Sequence, residues 1–360
     1  MNGRVYLRPV AFVDAPFGFD GQVARLAGTM LWFSAVEVLR LNGARATAEL
    51  VPVNAMEEAL PRLGAAAAAA WHNIQAPRPP LRIGERIVPL DQPQVMGIVN
   101  ATPDSFSDGG LHGDAGAAAD AGFAQAAAGA AIVDVGGEST RPGAQPVWEE
   151  DEAARVEPVI RRLAASGTAV SVDTRKALVM ERALVAGAGL VNDVSALGFD
   201  ERAGEVVARA GCPVVLMHHQ GTPETMQKAP FYDLPVALAV YNWLEARIAA
   251  AEAAGIARRN ILIDPGIGFG KTVQHNLSLL NGLSLFHGLG CPIVLGASRK
   301  RMIGALSAEA PTDRRLGGSI ALALKAVEQG VQIVRVHDVP ETVQALRVWR
   351  GLRDTALTPQ

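Results

Sequence analysis

Val95-Met-Gly-Ile-Val-Asn100 is a short apolar run, rich in β-branched residues, that closes on a side-chain amide. The pattern returns at Ile132–Val135, Val170–Val172, Leu190–Val191, Pro213–Met217, Ile261–Ile263, Pro292–Leu295 and Ile333–Val336, and each run predicts a strand. Longer helical patterns, among them Ala115–Ala128, Glu149–Ala165 and Val236–Ala254, follow most of them. A strand–helix unit repeated this often over about 240 residues has the count and size of a closed (β/α)8 TIM barrel, with a doubly wound open sheet as the alternative. The expected fold class is α/β: a TIM barrel carrying a small N-terminal α/β extension.

The extension is marked off by Gln75-Ala-Pro-Arg-Pro-Pro80, a Pro-rich segment that reads as a short stiff linker. The division expected from this is residues 1–80 as an accessory region, 81–350 as the barrel and 351–360 as a C-terminal tail. Within the first part, Met30–Leu41 and Ala55–Ile74 predict helices around a strand at Thr47–Val53. Asn54 and Glu57 have capping-box spacing, and Pro61 should kink the second helix or mark its start. No catalytic constellation falls in this region.

Composition narrows the function classes. The 360 residues carry a net charge of −3, with 49% hydrophobic and 19% charged residues, which describes a globular chain without the basic excess of a nucleic-acid or membrane-surface protein. Cys212 and Cys291 lie in separate apolar runs without metal-finger spacing and read as buried thiols of a reducing compartment. Residues 1–9 hold no apolar leader core, and no run approaches the roughly 18 apolar residues of a membrane span. The expected location is the cytoplasm.

In a barrel of this kind the loops after the strands build the active site. The strands here end in or beside Asn100, Gly137-Glu-Ser-Thr-Arg141, Asp173, Asn192-Asp193, His218, Asp264, Ser298-Arg-Lys300 and Arg335-Val-His-Asp338. Asp173 and Asp264 suit a planar N–C(NH2)–N edge gripped by charge-assisted hydrogen bonds, with Asn192 offering both donor and acceptor and Lys300 a mobile cation. Arg141, Arg335 and His337 make a second, cationic half suited to pyrophosphate, beside which Asn100 is a neutral oxygen ligand for Mg2+. Asp193 and Asp338 could instead serve as helix N-caps. Both halves together suit a heteroaromatic substrate with a pyrophosphate leaving group.

Several look-alikes fail on spacing. Gly266-Ile-Gly-Phe-Gly-Lys-Thr272 has three residues between Gly266 and Gly270 where a Walker A loop needs four, and Lys271 stands where a dinucleotide fingerprint needs its third glycine. Ser298 lacks the second glycine of a nucleophile elbow. His218-His219 point to opposite faces if on a strand, and His112, His275 and His287 read as surface or supporting residues.

The segments Val95–Gly110, Asp134–Gly143, Ser171–Thr174, Asp264–Lys271, Ser298–Lys300 and Arg335–Asp338, taken together, closely resemble the dihydropteroate synthases of folate biosynthesis. The resemblance runs from about Leu81 to Arg350 and leaves residues 1–80 outside it. It implies an enzyme that condenses 6-hydroxymethyl-7,8-dihydropterin pyrophosphate with 4-aminobenzoate, a reaction targeted by sulfonamides. It further implies Asp173, Asn192, Met217, Asp264 and Lys300 around the pterin. Asn100, Thr140, Arg141, Arg335 and His337 would hold the pyrophosphate and Mg2+. Pro142 and Phe269 would flank the aminobenzoate ring. The loops Ala101–Gly113, with Asp108, and Ser139–Pro146 would be substrate loops. Arg301 stands where many relatives carry a serine for the aminobenzoate carboxylate, so either a charge pair or backbone amides would serve it. The expected partners are these small molecules and a second copy of the chain, paired through helices such as Leu316–Gln329; neither nucleic acid nor membrane is expected. A corrinoid-dependent pterin methyltransferase and a non-catalytic pterin-binding protein are the competing classes. The first is disfavoured by the cationic half and by the lack of a cobalamin motif, the second by the presence of every group turnover requires.

Overall fold

The computed structural model describes residues 3–102, 110–139, 146–221 and 225–358, with the side chains of 110–114 left aside. The chain opens with an antiparallel sheet of β1 (Val5–Val13), β2 (Ala24–Arg25), β3 (Trp32–Asn42) and β4 (Arg45–Pro52). The helix expected at Met30–Leu41 is therefore a strand. Phe33, Val36 and Val38 are wholly buried along β3, which pairs with β1 from Val5↔Arg40 to Val13↔Trp32 and with β4 on its other side. Aromatic and β-branched residues suit a pleated, two-sided environment, and distant partner strands outweigh the helical spacing of the same apolar residues.

Helices α1 (Met56–Leu63) and α2 (Ala65–Gln75) follow. The break between them falls at Gly64, whose φ of 91° an L-residue rarely adopts, and Pro61 sits inside α1. Asn54 lies in a 3-10 turn and makes no side-chain cap to α1; Glu57 instead accepts from Trp71 Nε1 at 2.9 Å, tying α1 to α2.

A hairpin, β5 (Leu81–Ile83) and β6 (Arg86–Val88), leads into the barrel. The barrel alternates β7 (Gln94–Asn100), α3 (Gly110–Ala128), β8 (Ile132–Gly136), α4 (Glu149–Ala165), β9 (Val170–Asp173), α5 (Ala177–Ala186), β10 (Leu190–Asp193) and α6 (Ala203–Ala210). It continues through β11 (Val214–Met217), α7 (Val236–Ala253), β12 (Ile261–Asp264), α8 (Val273–Asn281), β13 (Val294–Leu295), α9 (Arg301–Leu306), α10 (Leu316–Val327), β14 (Ile333–Val336) and α11 (Val339–Ala356). All neighbouring barrel strands are parallel, in the order β12-β11-β10-β9-β8-β7-β14-β13, and a parallel bridge between Ile263 and Ile293 joins the two ends. The sheet thus closes, and the open-sheet alternative falls.

Side chains from the early part of the strands, including Met96, Ile132, Leu190, Val215, Leu262 and Ile333, pack with Leu81, Ile83, Val88 and Leu90 in a separate apolar cluster. The hairpin thereby closes the N-terminal end of the barrel, leaving the C-terminal end for chemistry.

Two expected boundaries move. Helix α3 already begins at Gly110, inside the expected loop Ala101–Gly113, and α11 runs on to Ala356, so the expected tail at 351–360 starts within a helix. The Pro-rich segment is packed down: Arg78 is buried and donates from Nη2 to the His287 carbonyl at 3.1 Å. His287 is itself in the core, its Nε2 meeting the Gln329 carbonyl at 3.0 Å, so it is no surface residue. Cys291 is buried as expected; Cys212 is only half-buried. The extension and the barrel's outer helices share one hydrophobic core, with Tyr6 edge-on to Tyr241 at 5.4 Å and donating to Asn242 Oδ1 at 2.9 Å.

Candidate functional site

Parallel register brings the polar strand ends to one level. Asn192 lies beside Asp173, Gly136 beside both Asp173 and Asn100, and Met217 beside Asp264. Across this floor Arg335 reaches from β14: Nε donates to Asp134 Oδ2 at 2.6 Å and Nη2 to Asp173 Oδ2 at 2.6 Å. Asn192 Nδ2 donates to the same Asp134 oxygen at 2.9 Å. Groups expected in separate halves, Arg335 for pyrophosphate and Asp173 with Asn192 for pterin, therefore form one network in this structure, because strands far apart in sequence face each other across the barrel.

The network leaves acceptors over. Oδ1 of Asp134 and Oδ1 of Asp173 are buried and accept no hydrogen bond from any described residue. One guanidinium serves two carboxylates, and burial, opposed by Arg335 and reinforced by the Asp134 charge, pushes Asp173 up to about 7. Arg335 stays protonated, because Asp134 and Asp173 outweigh the effect of its own burial. Burial likewise raises Asp264, offset by the Gly266 N–H, which donates to Asp264 Oδ1 at 2.7 Å, and by Lys300, Arg335 and Lys271. Gly296 leaves the approach to Asp264 open, since a Cβ there would lie 3.7 Å from Asp264 Oδ2.

On the opposite wall the Lys300 ammonium sits 4.1 Å from the centre of the Phe269 ring. Lys300 is the residue before α9, and Arg301, its exposed first residue, stands at the rim. His337 is held by Ser298, whose Oγ accepts from the His337 backbone N–H at 3.2 Å and lies 3.1 Å from Nδ1. Asp338 stands at the N-cap position of α11 but makes no side-chain cap; it accepts from Arg299 Nε at 3.0 Å, and Arg299 holds a left-handed φ of 56° between Ser298 and Lys300. Asp193 caps a turn rather than a helix, accepting from Ser195 N at 2.7 Å and Leu197 N at 2.9 Å. Asn100 is exposed at the end of β7. Thr140, Arg141, Pro142 and Asp108 lie outside the described residues. Flanking 140–145, Glu138 Oε1 accepts from Val147 N at 2.9 Å and from Lys176 Nζ at 3.1 Å.

Sequence reasoning passed over Asp134 and gave Ser298 no supporting part. The signal for Asp134 was present: a carboxylate inside the apolar run Ile132-Val-Asp-Val135 has to find a buried partner. Ser298 gave no such signal, since its use depends on β13 lying beside β14.

The arrangement presents an acceptor-rich floor beneath a cationic, aromatic rim. Comparison with known proteins agrees with that character. Residues 96–337 match the family model described as pterin binding enzyme. The dihydropteroate synthase of Neisseria meningitidis serogroup B is 49% identical over 269 residues, 73% of this chain and 94% of that protein. The Xanthomonas albilineans dihydropteroate synthase solved with 4-aminobenzoic acid superposes with a TM-score of 0.72 at 49% identity, covering 77% of this chain and 98% of that one. The same enzyme in complex with 7,8-dihydropteroate gives a TM-score of 0.70 at 46% identity over 76% of this chain and 99% of that one. With its barrel closed and its strand ends converging on one polar floor, the chain belongs to the dihydropteroate synthases, within the pterin-binding enzyme family.

Proposed function

We propose that this barrel mouth condenses 6-hydroxymethyl-7,8-dihydropterin pyrophosphate with 4-aminobenzoate, releasing pyrophosphate and 7,8-dihydropteroate, with the following division of labour. The observation that carries the reading is the set of buried acceptors without donors, Oδ1 of Asp134 and of Asp173, beside the buried carboxylate of Asp264. A ligand edge rich in N–H groups satisfies such a floor, and an aminopyrimidine ring supplies one. Asp173, Asp264 and Asn192 receive the pterin, Met217 packs against its ring, and Lys300 lies beside it.

Substitution at the pterin methylene begins with departure of pyrophosphate. Negative charge grows on the leaving oxygen, where His337 and Lys300, with Thr140 and Arg141 by resemblance, stabilise it; Arg335 contributes its field from within the floor. Positive charge spreads into the pterin, and the buried carboxylates of Asp173 and Asp264 offset it. The neutral arylamine then attacks the methylene carbon without an activating base, and the proton of the resulting ammonium passes to water or to the released pyrophosphate. By resemblance Phe269 and Pro142 flank the aminobenzoate ring, and either Arg301 or backbone amides at the start of α9 meet its carboxylate.

For Mg2+, an exposed Asn100 amide oxygen suits an ion that keeps most of its waters and takes its remaining ligands from phosphate. Bound with the diphosphate, such an ion neutralises part of the leaving-group charge. We assign the active form as a homodimer paired through the α10 region and its location as the cytoplasm; among the described residues no helix is long and apolar enough to cross a membrane. The test is pyrophosphate release from the two substrates with Mg2+. Folded protein that releases none overturns the reading.

A further inference from the structure

The glycine-rich segment after β12 resembles a phosphate loop without having its spacing, and its lysine turns inward. Lys271 is 2% exposed. Its Nζ donates to the Gly266 carbonyl at 2.8 Å and to the Phe269 carbonyl at 3.0 Å, and lies 2.8 Å from His218 Nδ1. All three partners are neutral, since burial first and then Lys271 push His218 down to about 2. Trp243 and Tyr232, with ring centres 4.8 and 6.1 Å from that of His218, enclose the imidazole.

The turn that Lys271 pins is pressed hard against the end of β11. Gly266, Gly268 and Gly270 all take left-handed φ values, of 68°, 85° and 66°. A Cβ on Gly266 would lie 1.8 Å from the His218 carbonyl oxygen, and one on Gly270 2.5 Å from that of Gln220. Asn276, Gln227 and Tyr232 hold Gly268 and Gly270. The Phe269 carbonyl has Lys271 as its donor, and Gly266 accepts from Lys271 with its carbonyl while donating its N–H to Asp264.

We infer that Lys271 is a positioning residue for the condensation: its buried amino group fixes the turn from Asp264 to Gly270, and so aims the Asp264 carboxylate at the pterin and holds the Phe269 ring under Lys300. This rests on the assignment of Asp264 and Phe269 made above. The lysine touches neither substrate. It replaces the solvent that would otherwise hydrate two inward carbonyls; burial draws its own pKa well below the usual lysine range, opposed by the Asp264 charge.

The test uses the full chain carrying Lys271→Met, which keeps the length and loses every donor, and Lys271→Gln, which keeps one donor group. Calorimetric binding of 6-hydroxymethylpterin, without pyrophosphate, is measured beside steady-state kinetics and thermal melting. The expected result is a cooperatively folded Met variant whose pterin affinity falls about tenfold or more, equivalent to about 1.4 kcal/mol, and whose KM for the pterin substrate rises with it. The Gln variant falls between, and propylammonium restores part of the affinity to Lys271→Ala, which a general loss of packing does not predict. A folded Met variant with wild-type pterin affinity overturns the inference; should it not fold, the Gln variant decides by the same readout. Asp264→Asn separates the causes: if it too binds pterin normally, the site assignment has failed, whereas if it loses binding while Lys271→Met keeps it, only the inference has.

Discussion

Replacing Arg335 by methionine removes the one guanidinium that serves both Asp134 and Asp173, whose side chains are 0% and 12% exposed. Breaking a buried ion pair from one side costs about 3–5 kcal/mol; with the Arg335 side chain 20% exposed, the lower end applies. For a barrel of this length 1 kcal/mol moves Tm by about 2 °C, so a fall of roughly 6 °C is expected near neutral pH. The sign with pH is fixed. Without Arg335 the already raised Asp173 carboxyl has a folded pKa still further above its unfolded value of about 3.9, so the folded state gains a proton as the solution is acidified and the variant recovers stability. The deficit against wild type is therefore largest above neutrality and narrows in acid. Calorimetric melting of wild type, Arg335→Met, Asp134→Asn and the double variant across this range measures both the narrowing and the coupling, which should be about 1–3 kcal/mol for groups in contact. A deficit independent of pH, with additive single changes, would show that Arg335 does not act as the counter-ion of these carboxylates.

Asp264→Asn should abolish measurable pterin binding in calorimetry, because the amide brings a donor to a substrate edge that itself donates; unchanged affinity would refute the assigned role. Pterin affinity of the wild type should fall as pH drops through about 7, where Asp173 takes up its proton, loses its charge and turns one acceptor oxygen into a donor facing the ligand, and that dependence should vanish in Asp173→Asn. A chain starting at Leu81 should lose stability and solubility, because the extension covers the wholly buried Phe286 and the largely buried Tyr241, while the barrel mouth lies outside the contacts removed. Sedimentation and pyrophosphate release on the truncated protein check both parts, and a soluble chain melting at the wild-type temperature would contradict the shared core.

Much of the barrel was legible because its signals are local. Helix α4 falls on Glu149–Ala165 as expected from four acidic residues in its first turn and an apolar stripe through Val156, Val159, Ile160 and Leu163. The strands announced themselves as apolar runs ending in Asp173, Asn192 and Asp264. The extension was not legible in the same way. Residues 32–42 carry apolar residues at spacings compatible with either period, and their state was decided by β1 and β4, which no local pattern discloses. In the site, the residue types were readable and their pairings were not: that Arg335 spends two donors on Asp134 and Asp173 depends on which strand faces which across a closed sheet.

The core shared by extension and barrel bears on how the chain is made. Tyr6 meets Asn242 across 236 residues of sequence, Pro9 meets Ser284 across 275, and Met30 meets Arg353 across 323. During synthesis this sheet emerges well before its apolar partners on α7, in the segment Leu283–Leu289 and on α11. A sheet that waits for most of its chain to be built has long-range contacts to close and an uncovered face in the meantime. Completion of α11 is then also the step that covers the sheet begun by β1, so segments more than 300 residues apart finish folding together.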